Sequence, residues 1–404
     1  MLKLAEITGA EFDKFAQEHK MGSIFQDSRW AQVKADNWQA KFVALKSANE
    51  IAVASLILIR TLPLGFRMWY LPRGPLFDVE NPDNLKNFSD QLKLIAKRER
   101  CILVKIDPNL IISSSSFSDA RAGVDNKRDQ TLIKVFQSAG WRHFGFNKAM
   151  ADTIQPRFSA VRYFDKKTDL VQEIAKKHRQ QIRKWQNLGV TTREVGLDEI
   201  DDLMTVMNYT AQAKNISLRD KQYFTRLKES FGDDCLLTIT SISPKTYLQL
   251  AKNQQADLLA KHPAPSKNQS QQITAAQKIL DDAEELANKH QQPINLSASV
   301  SLLVNRELNM LYASMNREFR QFYATHIANV WRIEWAQRRG ASQANLGGID
   351  GNLSDTLSEF KSALGANVNE YVGEFNLYTY PILSWTFDKL LPTVKRALLK
   401  FKRR

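Results

Sequence analysis

The hydrophobic positions change period along the chain, and the changes outline its elements. Residues 41–60 alternate and then run together as Val, Ala, Leu and Ile, the pattern of a strand pair buried on both faces. Residues 101–108, CILVKIDP, read as another strand that ends at Asp107, and residues 293–304 and 307–312 read as a central strand pair. Elsewhere apolar residues recur every three or four positions, which predicts helices over 11–20, 82–100, 199–213 and 322–340. A turn from residue 22 enters a helix with Trp30 and Val33 on one face, and residues 132–146 read as a helix followed by an aromatic-rich strand. Polar residues 113–128 read as a flexible loop. Strands mixed with long helices make the fold α/β (α+β).

Two stretches depart from this mixture. Residues 246–261 and 271–290 are rich in Ala, Leu, Gln, Lys and Glu and flank His262-Pro263-Ala264-Pro265-Ser266, so they predict an antiparallel helical hairpin. On its second arm Ile273, Ala276, Leu280, Ala283 and Ala287 form a seam of helical spacing. Residues 170–188 put Leu170, Ile174, Ile182, Trp185 and Leu188 on one stripe and crowd the rest with Lys176, Lys177, Arg179, Arg183 and Lys184. Such a face is either simply solvated or a contact for phosphate and nucleic acid.

The candidate chemistry centres on residues 347–376. Gly347, Gly348 and Gly351 suit a turn with positive φ. Ser354 and Asp355 offer caps to a short helix in which Leu357, Phe360 and Leu364 recur, and Gly365 closes it. Lys361 follows Phe360 and is either a snorkelling surface lysine or a placed cation. Lys34 on the second helix is likewise a solvated or a ligand-binding lysine. In the turn of MWYLPRGPLF, Arg73 either faces a phosphate or ties the turn down. Asp107 at its strand end is a proton-transfer candidate or a turn cap.

Composition sharpens this picture at a few points. A chain of 404 residues with 43% hydrophobic content is long enough for two domains, and 57 basic against 43 acidic residues give +14. That balance favours polyanionic partners: nucleic acid, phosphorylated metabolites or an anionic membrane surface. Cys101 and Cys235 are the only cysteines and form no Cys-x-x-Cys pair, so a disulfide framework and a thiolate zinc site are not indicated and a reducing cytoplasm fits. No signal-peptide pattern opens the chain, and its most apolar run, 51–59, is shorter than a bilayer span. His-Glu-x-x-His, the P-loop and Gly-x-Ser-x-Gly are missing, so metal and nucleophilic-serine chemistry are not supported; no cofactor is expected. The basic amphipathic segment 381–404 reads as a terminal helix that docks on the first domain or touches an anionic bilayer.

The order of a glycine-rich turn, Phe360-Lys361, Gly365 and then NEYVGEF resembles the FemABX family of peptidoglycan aminoacyltransferases, in its FemX/MurM-like branch. Trp30, Val33-Lys34 and Trp38 match that pattern too, as does Arg219 ahead of Tyr223 and Phe224. The resemblance spans nearly the whole chain outside the hairpin, which is similar to the helical arm of larger members. It implies two acetyltransferase-like (GNAT-like) domains: 1–152 completed by 375–404, and 153–374 with the arm 246–290 inserted. It further implies transfer of Ala, Ser or Gly from aminoacyl-tRNA to the stem-peptide lysine amine of a lipid II-like precursor, in the cytoplasm or peripherally at its membrane. Lys361, oriented by Phe360, would then act on the oxyanion or the leaving ribose oxygen. Lys34 and Arg219 would hold the precursor phosphate, with Trp38, Arg73 and Tyr223 beside the acceptor, and Asp107 or Glu370 would be weaker proton-transfer groups. Lys176, Lys177, Arg179, Arg183 and Lys184 would meet the tRNA. The rival expectations are a non-enzymatic RNA-binding protein and a membrane-surface scaffold.

Overall fold

The computed structural model describes residues 2–48, 50–123, 130–214 and 219–381. The expected segment 381–404 therefore lies outside the described residues except for Pro381, as do Asn215–Leu218 and the end of the 113–128 segment. The chain divides into two compact units. One comprises Met1–Val161, Gly347–Ser362 and the chain from Ala366; the other comprises Arg162–Leu346 and Ala363–Gly365. The return to the first unit thus begins at Gly347, earlier than the expected residue 375.

The first unit runs β1 (Lys3–Glu6), α1 (Gly9–Glu18), α2 (Ser28–Lys34), β2 (Gln39–Lys46), β3 (Ile51–Thr61), β4 (Arg67–Leu71), β5 (Leu76–Phe77), α3 (Pro82–Arg98), β6 (Cys101–Ile106), β7 (Ile111–Ser116), α4 (Phe117–Ala122), α5 (Thr131–Ser138), β8 (Arg142–His143) and into β9 (Phe158–Tyr163). Its sheet has the order β1-β2-β3-β4-β6, with β5 on β3. The continuous apolar run of β3 is buried from Val53 to Ile59, as a central strand requires. The 113–128 loop expectation fails in its described part: Ser113–Ser116 belong to a strand and Phe117 opens α4. Serines read as loop by composition are drawn into the ladder by a partner strand far along the chain, and Ser114 Oγ donates to Asn369 Oδ1 at 2.7 Å.

The second unit runs α6 (Lys176–Asn187), β10 (Val190–Glu194), α7 (Ile200–Lys214), α8 (Lys221–Phe231), β11 (Cys235–Ile242), α9 (Pro244–Lys261), α10 (Lys267–Lys289), β12 (Ile294–Val304), β13 (Glu307–Met315), α11 (Ala324–Arg338) and into β14 (Gln343–Ile349). Strands β10 to β13 are antiparallel neighbours, and β13 pairs with β14 in parallel. The hairpin is α9 and α10. Ser266 and Gln269 form a reciprocal capping box at its second helix, and Ala276, Leu280 and Ala283 are buried on the expected seam. Its root is anchored by rings: Tyr247 of α9 lies 6.1 Å from Trp185 of α6 and 5.7 Å from Phe322. A cleft of about 280 Å³ opens there, lined by these rings and by Asp282, Glu285 and Glu318.

The last elements are α12 (Thr356–Ala363), β15 (Asn367–Tyr371) and β16 (Phe375–Tyr378). Strand β16 enters the first sheet between β6 and β8, with Phe375 opposite both Ile106 and His143. Strand β15 pairs with β7 and β9. The architecture is mixed α/β with two sheets, as the hydrophobic pattern predicts.

The glycines before α12 correct one expectation. Of the three, Gly347 has positive φ, at 88°. Gly348 and Gly351 are glycine for a different reason: a Cβ at either would meet Pro156 or Phe158 at 2.3 Å. Close approach of neighbouring residues, rather than turn geometry, selects them.

Candidate functional site

Lys34 closes α2. Asp27 caps that helix by accepting from Arg29 N at 2.9 Å, and Trp30, Ala31 and Val33 turn inward. The Lys34 ammonium lies 4.5 Å from the Trp30 ring centre. One turn on, Trp38 packs 6.3 Å from the Tyr70 ring, with the Arg60 guanidinium 5.9 Å over its own ring. Tyr70 carries the connection inward: its hydroxyl donates to Asp107 Oδ2 at 2.6 Å, while Arg73 N donates to Asp107 Oδ1 at 2.6 Å.

Asp107 is 2% exposed, and burial pushes its carboxyl up to about 6 against the opposing pull of Arg73 and the Tyr70 hydrogen bond. Its Oδ1 holds the turn at Arg73, where Arg73 has φ 57°, while its Oδ2 takes the Tyr70 hydroxyl from strand β4. The Arg73 side chain donates to Pro156 O at 3.0 Å and lies 4.2 Å over Tyr371. Glu370 is buried against the Arg157 guanidinium in an ion pair, and Arg157 also donates to Asn147 O at 2.7 Å.

Lys361 behaves otherwise. The sequence stripe Leu357–Phe360–Leu364 places the lysine off the inner face. In the structure Leu357 is 38% exposed and Phe360 half-buried, whereas Ser358 and Lys361 face inward. Asp355 caps the helix start by accepting from Ser358 N at 2.6 Å. Lys361 is 6% exposed, and its Nζ donates to Gly348 O at 2.8 Å. Burial lowers its ammonium to about 8, with Asp355 pulling weakly the other way. Among the described residues no carboxylate pairs with it.

In the second unit Arg219 is exposed and lies 5.1 Å over the Tyr223 ring. Tyr223 is buried, its hydroxyl is 3.2 Å from that of Tyr312, and burial, followed by Tyr312, raises its pKa. Helix α6 begins at Lys176 rather than at residue 170, because Asp169 caps a turn there through Val171 N and Gln172 N. Lys176, Lys177 and Arg183 are exposed; Arg179 is half-buried and donates to Gln172 O at 2.7 Å; Lys184 is half-buried. Glu173, the acidic neighbour in sequence, accepts from Arg162 at 3.1 Å instead of neutralising the helix.

Sequence reasoning passed over Arg157, Tyr70, Tyr371 and the Lys105–Glu374 pair at 2.9 Å. One signal was available: a lysine inside the apolar run CILVKI demands a buried counter-charge. Among the described residues no helix is long and apolar enough to cross a membrane. No group of three or more His, Cys, Asp or Glu is placed there to hold a metal ion.

The fold is that of a known solved structure. The crystal structure of FemX covers 94% of this chain, and 98% of that chain is covered in turn, at a TM-score of 0.76 and 24% identity. The FemAB family profile matches residues 7–390, and the chain belongs to the FemAB family. Among its relatives are the proteins named lipid II:glycine glycyltransferase from Staphylococcus aureus strains USA300 and NCTC 8325 / PS 47. Each is 25% identical over 427 residues, and the match covers 98% of this chain and 98% of the relative.

Proposed function

We propose that the protein is an aminoacyltransferase that moves Ala, Ser or Gly from aminoacyl-tRNA to the lysine side-chain amine of a peptidoglycan stem peptide carried on lipid II or a similar precursor. The relatives named for glycine transfer to lipid II support the acceptor class. The observation that carries the chemistry is Lys361: a buried ammonium held on a backbone carbonyl, with its charge made costly by burial. A cation kept in such a place gains most when negative charge develops beside it.

The donor ester is already activated, so the reaction needs positioning and oxyanion stabilisation rather than an acyl-enzyme. The precursor amine attacks the ester carbonyl, a C–N bond forms, and the tetrahedral oxyanion collapses as the ester C–O bond breaks and the ribose oxygen leaves. Lys361 supplies positive charge to that oxyanion or to the leaving oxygen. Asp107 and Glu370 are engaged by Tyr70, Arg73 and Arg157, which favours the adjacent ribose hydroxyl of the tRNA as the proton relay. Lys34 beside Trp30 and Arg219 beside Tyr223 supply cations for precursor phosphate, Arg219 through the paired donors of its planar fork. Peripheral contact with the inner face of the membrane follows from a lipid-linked acceptor.

The test supplies purified protein with tRNA charged with labelled glycine, alanine or serine and with lipid-linked precursor in vesicles. Label should appear on the stem-peptide lysine with at least one donor. RNA binding without transfer from any of the three would replace this reading with that of a non-enzymatic RNA-binding protein.

A further inference from the structure

Helix α6 presents rings as well as charge. Its inward stripe is His178, Ile182 and Trp185, and at its first turn His178 meets α11. The His178 and His326 rings are stacked, with centroids 5.1 Å apart and planes 15° from parallel, and Tyr323 stacks on His326 at 4.3 Å and 22°. The Tyr323 hydroxyl lies 3.0 Å from His178 Nδ1. All three residues are only half-buried, so the stack is not part of the closed core. Burial, with Lys177 beside it, lowers His178, and burial, with His178 beside it, brings His326 to about 4.

Two features here cost local stability. Tyr323 sits at φ 57° and ψ 21°, the left-handed region that a bulky aromatic residue rarely adopts, and it does so at the start of α11 without a side-chain cap bond. Lys176 and Lys177 occupy the first turn of α6, where cations oppose the helix dipole, and that turn holds no acidic residue. A strained ring and unfavourable cations at one place suit a ligand that offers both a π-face and negative charge.

We propose that His178, Tyr323 and His326 form a stacking platform for an unpaired nucleobase, with Lys176 and Lys177 taking the adjoining phosphates. The ligand is the single-stranded end of a nucleic acid, since bases within a duplex are already stacked on one another. The proposal rests on the reading that the chain binds charged tRNA, and it adds a site for unpaired nucleotides to that reading.

The experiment compares two RNA hairpins with equal numbers of phosphates, one blunt and one with an unpaired 3′ overhang carrying 2-aminopurine. Wild-type protein should bind the overhang hairpin about tenfold more tightly at fixed salt and quench the probe. Tyr323→Gly removes the ring and accepts positive φ without strain. It and His326→Leu should bring the overhang hairpin down to the affinity of the blunt one and abolish quenching, while His178→Phe should keep both. Equal wild-type affinity for the two hairpins overturns the platform and leaves RNA binding intact. Preserved preference in Tyr323→Gly, or its loss of binding to both hairpins, also overturns it. Binding of neither hairpin by wild-type protein overturns the platform together with the tRNA reading.

Discussion

In the first unit Lys105–Glu374 and Arg157–Glu370 are ion pairs whose side chains are each at most 8% exposed. In the second unit Lys176, Lys177 and Arg183 stand in solvent on α6, with no ion pair among the described residues. The two arrangements answer different physical problems. A charge taken out of water must be met by a counter-charge or be strongly destabilising, so each of these buried charges is paired with one of opposite sign. Exposed cations cost little to keep unpaired, act on large anions at a distance and lose force with salt. Lys361 belongs to neither class. It is buried like the first set and, among the described residues, has no carboxylate ion-pair partner, like the second.

Three perturbations sharpen that contrast. The largest effect is expected from Glu370→Gln, which strands the Arg157 charge and should cost about 3–5 kcal/mol of stability. Urea unfolding would read this loss, with kcat of the folded fraction changing less than about tenfold. An unaltered stability together with a lost rate would make Glu370 a proton-transfer group.

Next is Lys361→Met, which keeps most of the apolar stem and deletes the charge. A group acting on charge that develops in the transition state is worth roughly 3–4 kcal/mol, or ~100- to 1000-fold in kcat, with acceptor KM nearly unchanged. The pH dependence has a definite sign. Because the folded value of about 8 lies below the value expected for an unfolded lysine, the folded state holds fewer protons between the two. Stability should therefore rise with pH from about 8 upward, and Lys361→Met should flatten that rise. If the protonated form is the working one, wild-type kcat should fall through the same region, and the variant should lack that limb. A change confined to acceptor KM would make Lys361 a binding residue.

The smallest effect belongs to the exposed set. Replacing Lys176, Lys177, Arg179, Arg183 and Lys184 by Gln should leave the melting temperature within a few degrees and lower the salt slope of tRNA binding by roughly 0.9 for each phosphate contact removed. Binding isotherms over a salt series decide it, and an unchanged slope would remove α6 from the RNA-binding surface.

Much of the frame was legible because it depends on local pattern. The period of apolar residues gave β3 and β6, the proline-rich break gave the α9–α10 hairpin, and the cation density of α6 was countable. Local pattern failed where a distant partner decides. Ser113–Ser116 became a strand through β15, more than 250 residues away. Gly348 and Gly351 are glycine because Pro156 and Phe158 press on them.

The same division runs through the candidate site. Residue type and spacing alone place a lysine after Phe360 near a glycine-rich segment, end a strand at Asp107 and make the chain strongly basic. Folding alone turns Lys361 inward onto Gly348 O with Leu357 outward, and brings Tyr70 and Arg73 to Asp107 as hydrogen-bond donors. The reason is physical. Spacing fixes which residues share a helix face, but which face turns inward is set by the neighbours folding supplies, here the Gly348 carbonyl that accepts from Lys361 Nζ. Whether a charge is buried, paired or poised is then a property of neighbours brought together by folding, and no local pattern encodes it.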